Sequence, residues 1–217
     1  MDKTVIERTE QGQRGFDLRV PPYIRGPKEG SHIRTQTGID FDIVDPDTWV
    51  FNMTDISFSL SNLCRFSGHL NRFYSVAEHS VRVSERLKSW GAPPDVQLLG
   101  LIHDATEAYL LDIPRPWKPL VWIGDTSYEE LETDMMRAIV EWHISERVDI
   151  AFAWINSWDL VRRADMHVYE EEERGRRTIE GVGRLTPHEA MVTFSDLWLS
   201  LRSEVRTGDS RVPDAES

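Results

Sequence analysis

The sequence feature that most restricts the fold is a His-Asp pair inside an apolar stretch. His103 and Asp104 lie within residues 98–110, LLGLIHDATEAYL, where most of the other side chains are apolar. Such a segment is expected in a protein core, where an imidazole or a carboxylate is costly unless something pairs with it. Neutral imidazole and carboxylate are ordinary metal ligands. The pair therefore predicts a buried divalent-metal site.

Composition and charge predict a soluble, cytoplasmic protein and do not exclude a small anionic substrate. The chain has 217 residues, 40% of them hydrophobic, and a formal net charge of -12. This negative charge repels phosphate backbones and argues against a nucleic acid polymer as partner. No apolar run reaches the length of a membrane span, so no membrane association is expected. The single cysteine, Cys64, excludes an internal disulfide and a thiolate metal cluster.

The chain divides into three parts by pattern. Residues 1–50 are predicted to form an N-terminal arm with a possible hairpin around Thr37-Gly38, and residues 206–217 a disordered tail. Residues 51–205 carry helical periodicity, so the fold class predicted is all-α.

Helix starts are predicted from side chains that cap N-termini. These are Thr54 or Asp55, Ser75 with Glu78, Asp95, and Ser127 with Glu130. The last helix is predicted to start at residues 186–189, Thr-Pro-His-Glu, with Pro187 in the favoured first position. The Asp95 helix should carry His103 and end before Pro114. A later helix spans about 158–174, and we interpret its acidic run 170–173 as a solvated helix end.

Two further polar residues are predicted to point inward from apolar helix faces. His79 shares a face with Val76 and Val83, and Asp165 shares one with Val161 and Val168. With His103 and Asp104 they make two imidazoles and two carboxylates from three segments. This donor set suits Mn²⁺, Fe²⁺, Co²⁺, Ni²⁺ or Zn²⁺ better than Mg²⁺ alone.

The order of these motifs resembles that of HD-domain phosphohydrolases, particularly the bacterial 5'-deoxynucleotidase type, over residues 55–175. The matching positions are Arg65-Phe66, Ala77-Glu78-His79, His103-Asp104-Ala105-Thr106-Glu107, Asp112-Ile113-Pro114 with Lys118, and Asp165. Phage HD-domain dATP triphosphohydrolases are similar too. The chain departs from the bacterial nucleotidases at Phe66, where they carry tryptophan, and in an Arg65-to-His79 spacing about one residue shorter.

The resemblance implies a compact helical HD bundle over 51–205 that assembles as a homodimer or larger homo-oligomer. It makes His79, His103, Asp104 and Asp165 the metal ligands. Binding of an additional Mg²⁺ ion together with the substrate is left open.

Two carboxylates are the candidate catalytic residues. Glu107 lies one turn after His103 and Asp104, so all three are expected on one side of a helix, where Glu107 can orient a water molecule or take its proton. Asp112 can protonate the leaving oxygen, bind a sugar hydroxyl or hold a second cation.

Five other residues are candidates for substrate binding. Arg65 and Lys118, with Arg115 as a weaker candidate, can neutralise phosphate oxygens. Phe66, or alternatively Trp117, can stack on a base, and His69 is placed to reach the cleft.

Several functions remain open from sequence alone. The first is a metal-dependent phosphohydrolase that removes the 5'-phosphate of deoxynucleoside monophosphates. The same chemistry fits a triphosphohydrolase that releases triphosphate from deoxynucleoside triphosphates. A non-catalytic HD module that binds nucleotide is an alternative of another class, as is a helical interaction protein with an acidic face.

Overall fold

The fold is mostly helical, as the sequence predicts. The computed structural model describes residues 31–144, 150–176, 178 and 182–207, and the predictions for 1–30 and 208–217 lie outside these. The helices in the described part are α1 Met53–Asn62, α2 Val76–Ser89, α3 Pro94–Ile102, α4 Glu107–Leu110, α5 Tyr128–Ile144, α6 Ile150–Gly175 and α7 Pro187–Thr207. Because α7 extends to Thr207, the predicted tail boundary at 206 is slightly early.

The predicted N-terminal hairpin is present. Strands β1 His32–Arg34 and β2 Asp40–Asp42 pair antiparallel, with Ile33 opposite Phe41. Gly38 takes a positive φ in the connecting turn. The buried ring of Phe41 stacks on Tyr109 at 4.1 Å between centroids, which fixes the hairpin to the helical core. A second small hairpin, β3 Trp122–Ile123 with β4 Thr126–Ser127, was not predicted.

The capping box predicted before α5 is confirmed, and α7, which is predicted to start at residues 186–189, begins with a second box. Ser127 and Glu130 exchange hydrogen bonds at 3.0 and 3.2 Å. Thr186 and Glu189 do the same at 2.7 and 3.3 Å.

Other predicted caps are corrected by the structure. Asn52 rather than Thr54 or Asp55 caps α1, because its side chain accepts from the Thr54 N–H at 2.9 Å. Pro93 stands at the α3 cap position, and Asp95 lies inside the first turn.

The Ser75–Glu78 box before α2 is only half formed. Ser75 accepts from the Glu78 N–H at 3.1 Å. The Glu78 carboxylate instead accepts from the backbone N–H groups of Arg184 and Leu185 at 3.0 and 3.2 Å, which ties α2 to the segment before α7.

The core is built around α3, which packs against α2, α6 and α7, while α7 also covers α1. Leu98, Leu99, Leu101 and Ile102 are nearly completely buried. Gly100 permits the close approach of α2, because a Cβ there would lie 2.2 Å from Leu87 Cδ1.

The single helix predicted to carry His103, Asp104 and Glu107 is interrupted. Helix α3 ends at Ile102, residues 103–106 form tight turns, and α4 begins at Glu107. Ala105 N–H donates to Ile102 O at 2.9 Å, and Glu107 N–H to Asp104 O at 3.0 Å, which are the short-range bonds of a tightened turn. The expectation of one shared helical face is therefore wrong, although Asp104 and Glu107 still reach the same cleft.

Among the described residues, no helix combines the length and apolar character needed to cross a membrane.

Gly183 provides a test of this packing, with Gly38 as its matched control. Both have φ of +89°, but a Cβ at Gly183 would lie 2.1 Å from the backbone oxygen of Phe73, whereas nothing lies within 4 Å at Gly38. We expect Gly38→Ala to lower the free energy of unfolding by about 1–2 kcal/mol from its left-handed backbone alone. Gly183→Ala should cost about 1–3 kcal/mol more because of the clash. Urea denaturation measures both, and equal losses would contradict the described contact.

Candidate metal centre

Three elements bring two histidines and an aspartate together. His79 comes from α2, His103 from the turn after α3, and Asp165 from α6. Asp165 Oδ1 lies 3.2 Å from His79 Nε2 and 3.9 Å from His103 Nε2. One ligand atom from each of the three lies within 4.8 Å of the others. This His-His-Asp group could hold a metal ion.

Asp104, the fourth predicted ligand, lies beside this group. Its Oδ2 atom is 3.2 Å from His103 Nε2 and 3.7 Å from His79 Nε2. The same oxygen is 3.4 Å from Arg65 Nη1. The structure thus brings together all four residues that the sequence singles out.

The two imidazoles are oriented as metal ligands require. His79 Nδ1 is 2.8 Å from Glu172 Oε1, and His103 Nδ1 is 2.8 Å from Gly100 O. Because a carboxylate and a carbonyl oxygen accept, each Nδ1 carries the proton. Both Nε2 atoms are buried without a hydrogen-bond partner among the described residues. A metal ion fits this pattern, since it binds neutral imidazole through the nitrogen opposite such a bond.

The carboxylates at the centre stabilise positive charge. Burial lowers the pKa of His103, but the carboxylates of Asp104 and Asp165 outweigh it and raise this pKa to about 9. Burial raises the pKa of Asp104 and of Asp165, yet the neighbouring imidazoles hold both below their usual range. The carboxylates therefore favour positive charge here, which a divalent ion supplies while displacing a proton.

Glu172 is a site residue that the sequence interpretation missed. The run 170–173 was interpreted as a solvated helix end, but Glu172 is fully buried. Its Oε1 accepts from Tyr74 Oη–H and from His79 Nδ1–H. Glu172 lies two helical turns after Asp165, on the face that also buries Val168, so the 3.6-residue period could have identified it.

A cleft of about 610 Å³ adjoins the centre and contains Asp104 and Asp165 in its wall. It includes all seven residues predicted for catalysis or substrate binding: Glu107, Asp112, Arg65, Phe66, His69, Arg115 and Lys118. Ser67, Tyr169 and Arg176 are lining residues that the sequence did not indicate. Trp117, the alternative stacking residue, is not in the lining and is 64% exposed.

The candidate catalytic carboxylates have environments suited to proton transfer. Glu107 is buried, and its Oε2 makes no hydrogen bond to any described residue. Burial, together with Asp104 and Asp112, raises the pKa of Glu107 well above its usual range. Burial also raises the pKa of Asp112. Carboxyl groups with raised pKa values exchange protons more readily near neutral pH.

The basic residues of the cleft are already in contact with acids or sulfur. Lys118 Nζ donates to Glu132 Oε1 at 2.6 Å. Arg65 lies between Asp104 and Glu172. The Arg115 guanidinium contacts Met166 Sδ. An anionic substrate would therefore meet side chains that are held in place, with part of their charge already compensated.

Phe66 belongs to an aromatic cluster at the cleft. Phe66 and Ser67 both have positive φ values, of 56° and 51°, which strain a backbone without glycine. The Phe66 ring stacks on Tyr169 at 5.9 Å, and the Arg176 guanidinium lies 5.2 Å from its centroid. Tyr169 is one helical turn after Asp165, so the helical period could have placed it on the same face and predicted that it lines the cleft.

Comparison with known proteins gives relatives without a described activity. The chain is 47% identical over 93 residues to the uncharacterized protein YfdR of Escherichia coli (strain K12), which covers 42% of this chain and 48% of that protein. It is 32% identical over 112 residues to an uncharacterized protein of Rhodobacter capsulatus, covering 49% and 55%. The chain thus spans about half the length of these curated relatives. No protein-family model matches it.

Asp165 and Asp159 give a matched test of the centre on one helix. Asp165→Asn keeps the side-chain shape but removes the charge, so we expect Co²⁺ to bind at least about 100-fold more weakly. Asp159, whose side chain is 83% exposed and pairs with Arg162, should tolerate the same change without effect. Titration of metal-free protein measures both. Unchanged affinity in the Asp165 variant would exclude it as a ligand.

Proposed function

We propose that this chain is a divalent-metal-dependent phosphohydrolase of the HD type that removes the 5'-phosphate from deoxynucleoside monophosphates. The observation that carries the proposal is that the candidate metal centre and the cleft share two residues. Asp104 and Asp165 stand beside the two histidines and also line a cavity that contains acidic, basic and aromatic side chains. A site for a nucleotide needs these chemical classes together.

The residues divide the reaction among them. A divalent ion held by His79, His103, Asp104 and Asp165 would supply Lewis acidity toward the phosphoryl oxygens and toward water. Glu107 takes a proton from the attacking water molecule as the new P–O bond forms. The bond from phosphorus to the 5'-oxygen breaks, and Asp112 protonates that oxygen. The products are a deoxynucleoside and orthophosphate.

Substrate recognition falls to the other residues of the cleft. Arg65, Arg115 and Lys118 offset the negative charge of the phosphate, and the ion pairs that hold Arg65 and Lys118 reduce the reorganisation needed in the transition state. Phe66 offers a ring face to a base. His69 lines the same cavity and is available to the sugar or the phosphate.

Release of triphosphate from a deoxynucleoside triphosphate is the second candidate. The presence of Arg176 in the cleft supports this reaction. Together with Arg65, Arg115 and Lys118 it gives the cleft four arginine and lysine side chains. A longer phosphate chain would use more of these groups than a single phosphate does.

A nucleotide panel tests these alternatives directly. The protein, loaded with Mn²⁺ or Co²⁺, is incubated with deoxy- and ribonucleoside mono-, di- and triphosphates, and the products are separated by chromatography. We expect orthophosphate from deoxynucleoside monophosphates, and its loss on adding EDTA. Triphosphate as product would support the second candidate. Nucleotide binding without any product would contradict both and favour a non-catalytic module.

Replacement of Glu107 separates chemistry from metal binding. Glu107→Gln removes the proton acceptor while keeping the side-chain shape, so kcat should fall by about 10²–10⁴-fold. Metal affinity should stay near that of the parent protein. Glu129→Gln, an exposed carboxylate on α5, is the control and should retain full activity. A Glu107 variant with parental kcat would remove this residue from the reaction.

A further inference from the structure

Glu172 occupies a position that the proposed reaction does not use. Its side chain is completely buried, which is unfavourable for a carboxylate unless it is paired and hydrogen-bonded. It accepts from Tyr74 Oη–H and His79 Nδ1–H, and its other oxygen lies 3.5 Å from Arg65 Nε. Arg82 Nη1 lies 3.8 Å from Glu172 Oε1, the oxygen that Tyr74 and His79 contact. The buried carboxylate therefore has Tyr74, His79 and Arg65 as partners, and these contacts involve both of its oxygens.

The contact with His79 fixes which nitrogen of that ring is free. With the proton held on Nδ1 by a charged acceptor, the lone pair is on Nε2, which lies 3.2 Å from Asp165 Oδ1. A carboxylate partner also makes the imidazole a stronger donor to a metal than a carbonyl partner does. In the equivalent place, the His103 ring contacts the carbonyl oxygen of Gly100. The two histidines are therefore unequal ligands.

The same carboxylate reaches the cleft through Arg65. The side chain of Arg65 is 12% exposed, and its guanidinium group spans from Glu172 to Asp104. Arg65 begins the segment in which Phe66 and Ser67 have positive φ values. Glu172 thus contacts His79, a candidate metal ligand, and also Arg65. Arg65 in turn contacts Asp104 and begins the segment of the cleft wall with positive φ values.

We propose that Glu172 is a positioning residue that sets which ring nitrogen of His79 is free, fixes the orientation of that ring, and holds Arg65 against Asp104. Through His79 it determines the affinity and geometry of the metal centre. This inference rests on the metal site of the proposed function, but it concerns a residue that touches neither metal nor substrate.

The test compares Glu172→Gln with Glu171→Gln. Glu171 is the adjacent, half-buried residue and pairs with Arg82 and Arg86, so it controls for loss of one negative charge on α6. Metal-free protein is titrated with Co²⁺, and its visible absorption spectrum is recorded. We expect Glu172→Gln to bind Co²⁺ about 10–100-fold more weakly and with an altered spectrum. Glu171→Gln should match the parent protein in both.

A folded Glu172→Gln protein with parental affinity and spectrum would overturn the proposal. If that variant does not fold, Glu172→Asp serves instead, since it keeps the charge but withdraws the oxygens from His79. It should show the same weakening, and parental binding would again overturn the proposal. If the parent protein itself binds no Co²⁺, the metal centre fails, and this inference fails with it. Parental binding of Co²⁺ in every variant overturns the role of Glu172 alone.

Discussion

The close packing of α2 on α3 is the constraint on which the site depends. At Gly100 a Cβ would lie 2.2 Å from Leu87 Cδ1, so α2 and α3 pack closely there, and the ring centroids of His79 and His103 lie 5.3 Å apart. Helix α6 packs on both α2 and α3 and adds Asp165 to the pair. The apolar core therefore determines the geometry of a polar site that the helices could not form singly.

The candidate metal centre carries an excess of acidic side chains, and this excess determines what it can bind. Asp104, Asp165 and Glu172 surround two imidazoles at a largely buried position, and Arg65 is the cation that contacts two of the three acids. Buried acids in such numbers are stable only when positive charge balances them. Protonation of His103 is one response, and a bound divalent ion is the other. The second would also satisfy the two Nε2 atoms, so the centre could hold a metal ion.

Much of the site could be predicted from periodicity and residue type. His79 and Asp165 were placed correctly because each shares a helical face with buried valines, and the hairpin followed from its turn glycine. The interruption after Ile102 was not predictable, because the apolar pattern runs on through the turn.

Two other features were hidden for different reasons. Glu172 stands in a run of four glutamates, whose charge suggests a solvated helix end and masks the helical period that places Glu172 on the face of Asp165 and Val168. The positive φ values of Phe66 and Ser67 were unexpected because neither residue favours that region of backbone space.

The most direct test of the account is anomalous X-ray diffraction from crystals of the Mn²⁺-loaded protein. We predict one strong anomalous peak between α2, α3 and α6, within bonding distance of both His Nε2 atoms and of the Asp104 and Asp165 carboxylates. No peak there, or a peak held by a different set of side chains, would contradict the metal centre and the hydrolase proposed from it.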